Sequence, residues 1–389
     1  MHRKRLLISA VLLINLAYLL VLSTFHVVSK DWFESRKMGQ KADKWNKTKN
    51  SPPNDRKILI LEWHNEVAVG DKVVSRNCII THNRSRIKEA DAILFTQHRI
   101  SKEDMPWKYY RSDQIYVWWA RYETPSIIEC WKNDLRYIDE GFFNWTQSYR
   151  HDADVIVGFS DRGQVLSKLS RGKKVVDDIL KNKNKLAIWM VSGCRTRKGQ
   201  KLRMEYAMEL DKAGIKFSRY GYCFNHNESQ PRVSGSVAAL TEHKFYFAFE
   251  NSLHCKDYIT EKFWKNSLEN GVVPIVWGPT KEDILSVAPL DSFIFAEDFE
   301  SPAELAKYLK FLDENDEEYR KYFKWKEDET MTDERMVEMI KERYPNLDVY
   351  VNKRETLCDK LLQNNEPKVI QSLTDWYANQ EPIECGGRF

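Results

Sequence analysis

Eight short apolar runs constrain the fold of this 389-residue chain more than any other feature. They are KILILEW (from Lys57), ADAILF (from Ala90), QIYVWWA (from Gln114), DVIVGFS (from Asp154), KLAIWMVS (from Lys185), HKFYFAF (from His243), VVPIVW (from Val272) and SFIFAED (from Ser292). DVIVGFS is the weakest of them. Most do not alternate apolar with polar residues, which points to strands covered on both faces, and such strands occur in parallel sheets. Helical patterns fall between them, at 163–184, 201–213, 260–270 and 302–315. Strands alternating with helices make βαβ units, so the chain reads as α/β. The charged stretch 163–184 separates two groups of strands. The expectation is two Rossmann-type domains facing a cleft, over 56–184 and 185–350, with 351–389 as an extension packing back on the first.

The ends of the chain add topology. Arg3, Lys4 and Arg5 precede an almost wholly apolar run over 6–28. That run has roughly the ~20 residues a bilayer span needs and exceeds a typical secretory core, so a signal-anchor is predicted, with residues 1–5 cytoplasmic. The polar segment 29–55 reads as a stem. Sequons at Asn46, Asn83, Asn144 and Asn227 fit a lumenal body. The seven cysteines suit an oxidising compartment and show neither a CxxC pair nor a zinc-like spacing. A net charge of +4 is too diffuse to argue for nucleic acid. No metal site is predicted.

One stretch carries more chemistry than its surroundings. FENSLHCKDYITEKF, from Phe249, sets Glu250, Asn251, Asp257, Tyr258, Glu261 and Lys262 between two buried strands. Ligands of parallel sheets bind off carboxyl ends of strands, and a helix start there favours phosphate. On residue types alone a second reading stays open: Asp257 as a helix cap, Glu261 as a dipole partner and Lys262 as a solvent-facing charge.

The longer segment KFYFAFENSLHCKDYITEKFWKNSLENGVVPIVWGP, from Lys244, resembles the signature of the α1,3-fucosyltransferases, glycosyltransferase family 10, with a spacing closest to invertebrate members. Other segments resemble that family in its own order: CIITHNRSRIKEADAILF, VWWARYETPS, FNWTQSYRHDADV and WMVSGCRTRKGQKLRMEYAMEL. The resemblance covers roughly 57–350. The chain departs from the pattern at Gly193, where the family has Asn, in extra residues before Arg203, and in VIVGFSDRG.

The resemblance implies a GT-B-like enzyme that moves L-fucose, with inversion, from GDP-β-L-fucose to the 3-OH of a GlcNAc in a glycoprotein glycan. The enzyme would be a single-pass type II protein of the Golgi membrane. By match, Arg203 and Lys262 would face the diphosphate and Glu261 the ribose. Ser192, Tyr246, Asn251 and Tyr258 would line the donor pocket, and Glu250 would sit near the fucose. Glu123, in the ETP segment of the acceptor half, would be the general base. The same resemblance pairs Cys78 with Cys358. The Asp152–Asp154 pair belongs to the family's own motif, so no metal is taken to be obligatory and no site for a stimulating divalent ion is predicted. Two alternatives remain: another nucleotide sugar as donor, and a glycan-binding protein on an inactive scaffold.

Overall fold

The computed structural model describes residues 57–64, 70–75, 77–120, 124–125, 139, 141–194, 197–224, 237–351, 355–363 and 368–378. The apolar run 6–28 and the stem lie outside them. Among the described residues no helix is long and apolar enough to cross a membrane.

Two sheets form. The first contains β1 (Ile58–Glu62), β2 (Lys72–Ser75), β3 (Cys78–Thr81), β4 (Ala92–Thr96), β5 (Ile115–Ala120), β6 (Trp145–Ser148) and β7 (Val155–Ile156), in the order β2-β3-β1-β4-β5-β6-β7. Only the edge pair β2–β3 is antiparallel. The second contains β8 (Lys185–Met190), β9 (Phe217–Tyr220), β10 (His243–Phe249), β11 (Val273–Trp277) and β12 (Ile294–Phe295), in the order β12-β11-β10-β8-β9, parallel throughout. All seven residues of β10 are buried, which explains its unbroken apolar run. Its two polar residues are paired at the strand start. His243 lies between the Ala239 carbonyl and the Ser218 hydroxyl, and Lys244 reaches the Asp313 carbonyl.

The sheets share a topological device. In the first, β1 is flanked by β3 and β4; in the second, β8 is flanked by β9 and β10. The direction of winding therefore reverses beside β1 and beside β8. Crevices at the carboxyl ends of such strand pairs are where ligands bind in open α/β sheets.

Helices cover the faces. Those used below are α1 (Arg162–Lys168), α2 (Lys173–Lys181), α3 (Lys198–Lys212), α4 (Lys281–Val287), α5 (Pro302–Glu314), α6 (Asp333–Arg343) and α7 (Leu357–Leu362). The stretch read as one helical pattern over 163–184 is two helices, broken at Gly172, whose φ of +117° suits glycine. Both pack with the second sheet. Val165 and Leu166 join Ile259, Phe263 and Ile284, while Val176 joins Trp189 and Phe245. The packing seam thus falls between β7 and α1, earlier than the boundary at 184 drawn from the sequence. Conversely α7 and residues 368–378 pack on the first sheet. Leu373 and Tyr377 enter its core beside Trp118, and Leu357 and Leu361 lie with Ile58 and Trp145.

Disulfides join Cys78 to Cys358 and Cys194 to Cys223, and Cys255 is also disulfide-bonded. The first links β3 to α7 across 280 residues of sequence.

The helix expected over 260–270 does not form. Asn266, Leu268 and Glu269 instead donate their amides five residues back, to Glu261, Phe263 and Trp264, before a short 3₁₀ turn, Leu268–Asn270. The Ser267 hydroxyl also bonds the Lys262 carbonyl five residues back, at 2.7 Å. Bonds of this wide register mark a locally expanded turn, a form common at functional sites. A helix-dipole site at Thr260 is thereby removed.

Candidate functional site

The winding reversal of the second sheet lies between the ends of β8 and β10, and one side chain bridges it. Arg203, in the second turn of α3, is 3% exposed. Its Nη1 donates to the Phe249 carbonyl at 2.8 Å and its Nη2 to the Gly193 carbonyl. Its Nε is buried and unbonded. Burial draws its pKa down and the Glu250 charge opposes this; an arginine stays charged under these conditions. Among the described residues no carboxylate pairs with it. A buried guanidinium bonded to backbone carbonyls rather than to a carboxylate keeps its positive charge at the crevice, with the Glu250 charge acting on it.

Gly193 has a local reason. A Cβ there would lie 2.7 Å from Gln200 Nε2 and 3.6 Å from Arg203 Nη2. Gln200 occupies that space, and the Gly193 carbonyl still receives Arg203 Nη2. Gly199 brings the start of α3 against the loop after β10, since a Cβ on it would meet the Asn251 carbonyl oxygen at 2.7 Å.

Glu250 is the hub of that loop. It is 2% exposed and both carboxylate oxygens are used. The Thr260 amide and hydroxyl donate to Oε1 at 2.9 and 2.8 Å, and Lys262 Nζ donates to Oε2 at 2.9 Å. Lys262 also donates to the Thr260 hydroxyl at 2.7 Å. The carboxylate therefore fixes the Lys262 ammonium. Gly278 lets β11 end against this hub: its φ is +118°, and a Cβ would meet Glu250 Cβ at 2.8 Å.

The remaining residues singled out in the sequence divide. Ser192 is exposed at the end of β8, and Glu261 is half exposed beside Lys262. Asn251 Oδ1 is buried and unbonded. Tyr258 is buried, edge-on to Tyr149 at 5.2 Å between ring centroids. Tyr246 is fully buried among Ile188, Leu240 and Val272, and its hydroxyl accepts from Asn266 at 3.0 Å. It is a core residue behind the crevice, not a wall of it. Glu123 lies outside the described residues, but its chain neighbour Thr124 is fully buried with Oγ1 2.6 Å from Ser252 Oγ. The end of β5 thus meets the end of β10.

Two further expectations gain structural detail. Asn144, expected as a glycan acceptor, is buried in this fold: its Oδ1 accepts from the Tyr116 amide at 2.9 Å, and its amide donates to the Lys368 carbonyl at 3.1 Å. Asn83 is exposed, while Asn46 and Asn227 lie outside the described residues. Asp152 and Asp154 have separate partners. Asp152 takes the Arg150 fork and Lys256, and Asp154 takes Thr146 and Lys368.

Comparison with known proteins decides the family. A model described as glycosyltransferase family 10 (fucosyltransferase), C-terminal, matches residues 180–376, and one described as fucosyltransferase, N-terminal, matches 53–160. The chain belongs to glycosyltransferase family 10, the fucosyltransferases. It is 37% identical over 251 residues to glycoprotein 3-alpha-L-fucosyltransferase A of Drosophila melanogaster, covering 64% of this chain and 47% of that one. It is 35% identical over 255 residues to 4-galactosyl-N-acetylglucosaminide 3-alpha-L-fucosyltransferase FUT6 of Homo sapiens, covering 64% and 66%. With 4-galactosyl-N-acetylglucosaminide 3-alpha-L-fucosyltransferase 9 of Bos taurus it shares 32% over 307 residues, 78% and 76%. The chain thus spans about half of the fly relative's length and about two thirds of the human one's. A solved structure of an alpha1,3-fucosyltransferase with GDP-fucose is similar at a TM-score of 0.42 and 15% identity, covering 71% of this chain and 76% of that one.

This family-10 chain also carries a second polar cluster, at the carboxyl ends of β1, β3 and β4. Glu62 Oε2 lies 3.0 Å from His82 Nε2, and His82 Nδ1 is buried without a partner. Gln97, 1% exposed, has both amide atoms buried and unbonded. His64 accepts from the Thr96 amide, and burial pulls its pKa down to about 4. Nothing in spacing marks these residues, because only the winding reversal beside β1 brings them together.

Proposed function

We propose that this chain is an inverting α1,3-fucosyltransferase that moves L-fucose from GDP-β-L-fucose to the 3-OH of a GlcNAc residue in a glycoprotein glycan. The observation that carries the reading is Arg203, a buried cation bridging the crevice of the second sheet, with Lys262 fixed nearby by Glu250. Departure of GDP leaves negative charge on the diphosphate and an oxocarbenium-like sugar. Two preorganised cations stabilise that leaving group without reorganising during reaction. Glu261 faces the ribose, and Asn251 and Ser192 complete the donor side.

The acceptor belongs to the first half. Its crevice offers Glu62, paired with His82, and the unbonded polar atoms of His82 and Gln97, which suit sugar hydroxyls. Glu123 is the general base that takes the acceptor proton. Its neighbour Thr124 touches the loop after Glu250, which supports an acid entering from the acceptor half. The names of the fly and human relatives agree with transfer to the 3 position. The two halves correspond to a GT-B-like pair, held in the Golgi membrane by residues 6–28 as a type II protein.

The test is radiolabelled transfer from GDP-fucose to GlcNAc-containing acceptors, with other nucleotide sugars in parallel and GDP release followed with and without acceptor. Fucosylated product at the 3-OH supports the reading. Turnover of another donor only, or glycan binding without GDP release, replaces it with the corresponding alternative.

A further inference from the structure

The loop bearing Tyr258, Glu261 and Lys262 turns on a residue in an uncommon conformation. Asp257 has φ of +60°, the left-handed region, which L residues other than glycine enter at a cost and hold only when neighbours over-determine them. No helix start uses its carboxylate. Instead Oδ2 accepts from the His151 backbone amide at 2.9 Å, and Oδ1 lies 3.0 Å from His151 Nδ1. The Asp257 side chain is 5% exposed, so the contact is shielded from water.

His151 comes from the other half of the molecule, in the turn after β6. Its ring lies flat on Tyr350, 3.9 Å between centroids and 15° from parallel, and Tyr350 packs with the second sheet's core. The imidazole is therefore clamped between two residues of the opposite half. A second bond runs beside it: Lys256 Nζ donates to Asp152 at 3.2 Å, and the Arg150 guanidinium orients that carboxylate. Under the turn sits Asp283, at the start of α4. Burial pushes its pKa up to about 6, the Asp257 charge adds to this, and the Thr280 hydroxyl and Asp257 amide oppose it. The turn thus carries a carboxylate beneath it and an imidazole outside it.

The geometry points to His151 as a positioning residue: through Asp257 it sets the backbone of the donor loop, so that seating of the first half on the second and binding of a nucleoside-diphosphate sugar are linked. This rests on the donor reading given above. His151 touches neither Arg203 nor Lys262, and its effect passes through the turn immediately before Tyr258.

The test compares three variants in the intact chain. His151→Ala removes the imidazole. Asp257→Gly keeps the left-handed turn free of strain but deletes the carboxylate. Asp257→Asn tolerates the same turn and keeps one acceptor. Two readouts are taken: the KM for GDP-fucose against kcat, and hydrogen exchange at the Tyr258 and Ile259 amides, which close the turn onto Cys255 and Asp257, in the ligand-free protein. His151→Ala and Asp257→Gly are expected to raise donor KM roughly tenfold, the scale of one lost charge-assisted bond, with a smaller change in kcat and faster exchange. Asp257→Asn is expected to recover most of both.

Unchanged KM and exchange in His151→Ala, or wild-type behaviour in Asp257→Gly, overturns the proposal; the second result assigns the role to backbone conformation alone. If His151→Ala does not fold, Asp257→Gly decides. Failure of the wild type to use GDP-fucose overturns the donor reading instead, and the exchange comparison still reports on the tie.

Discussion

Thr124 and Ser252 bring their hydroxyl oxygens within 2.6 Å of each other, both side chains buried, where the strand ends of the two sheets meet. Each follows a residue given a role in transfer, Glu123 and Asn251. That contact ties the chain next to the proposed base to the chain next to the proposed donor residue. Replacing Glu123 by Gln should leave a folded protein that binds GDP and loses roughly 10²-fold or more in turnover, the usual scale for a lost base. Near-normal transfer would place the base elsewhere. Thr124→Val and Ser252→Ala should each lower kcat, and the double variant should cost less than the sum, with a coupling on the order of 1 kcal/mol.

Arg203 should not tolerate lysine. An ammonium cannot hold the Gly193 and Phe249 carbonyls together in the planar fork that the guanidinium uses. Arg203→Lys and Arg203→Ala are both expected to lose on the order of 10²–10³-fold in kcat/KM for the donor, comparable to the loss of one electrostatic donor to a leaving group. Kinetics within a few-fold of wild type for Arg203→Lys would take the residue out of the site.

The two described sequons should behave oppositely. Expressed through a secretory pathway, Asn83→Gln should lose the mass of one glycan with little change in stability, because Asn83 is exposed. Asn144→Gln should show no loss of glycan and should lower stability by roughly 1–3 kcal/mol, since it disturbs two buried bonds. Intact mass and denaturant unfolding on the same samples separate these outcomes.

His64 should make the fold acid-sensitive. Burial, the largest cause, takes its pKa down from 6.5 to about 4, with Asp104 opposing. The unfolded chain therefore binds more protons between these values, and stability rises with pH across that window. The contribution is complete above about pH 6.5 and is lost as pH falls towards 4, on the order of 2–3 kcal/mol over the range. A His64→Gln variant should show a flatter profile of unfolding free energy between pH 7 and pH 4.5. An unchanged slope would mean that another group sets the acid limit.

Much of the architecture was legible because buried parallel strands advertise themselves. HKFYFAF and VVPIVW gave β10 and β11 almost to the residue. Strands with mixed composition escaped, as in Lys72–Ser75, wholly exposed at an edge, and Trp145–Ser148, whose Thr and Gln are buried by neighbours rather than by type. At the candidate site, the family signature singled out Arg203, Glu250 and Lys262, but not how they are bonded. Glu250 turned out to hold Lys262, and Asp257 to face the other half. The expected helix at 260–270 failed because a 3.6-residue pattern does not reveal that Ser267 and the local amides bond five residues back. Tyr246 was placed in the donor pocket by the family match, and the packing buries it fully among Ile188, Leu240 and Val272.

The disulfide from Cys78 to Cys358, together with Leu373 and Tyr377 beside Trp118, has a consequence for biosynthesis. The first sheet is translated early, yet part of its apolar face is covered by residues made some 280 residues later. During synthesis that face stays open while the second half emerges and folds. The second half carries its own covering helices, α1 to α6, and is complete before α7 appears. The expected folding order is therefore inverted relative to chain order: the second half can finish first, and the half begun earlier closes only when residues 357–377 arrive. An oxidoreductase that joined Cys78 too early to Cys130, Cys194 or Cys223 would trap the chain. Pulse-labelled protein should accordingly gain the long-range disulfide only after residues 357–377 have left the ribosome.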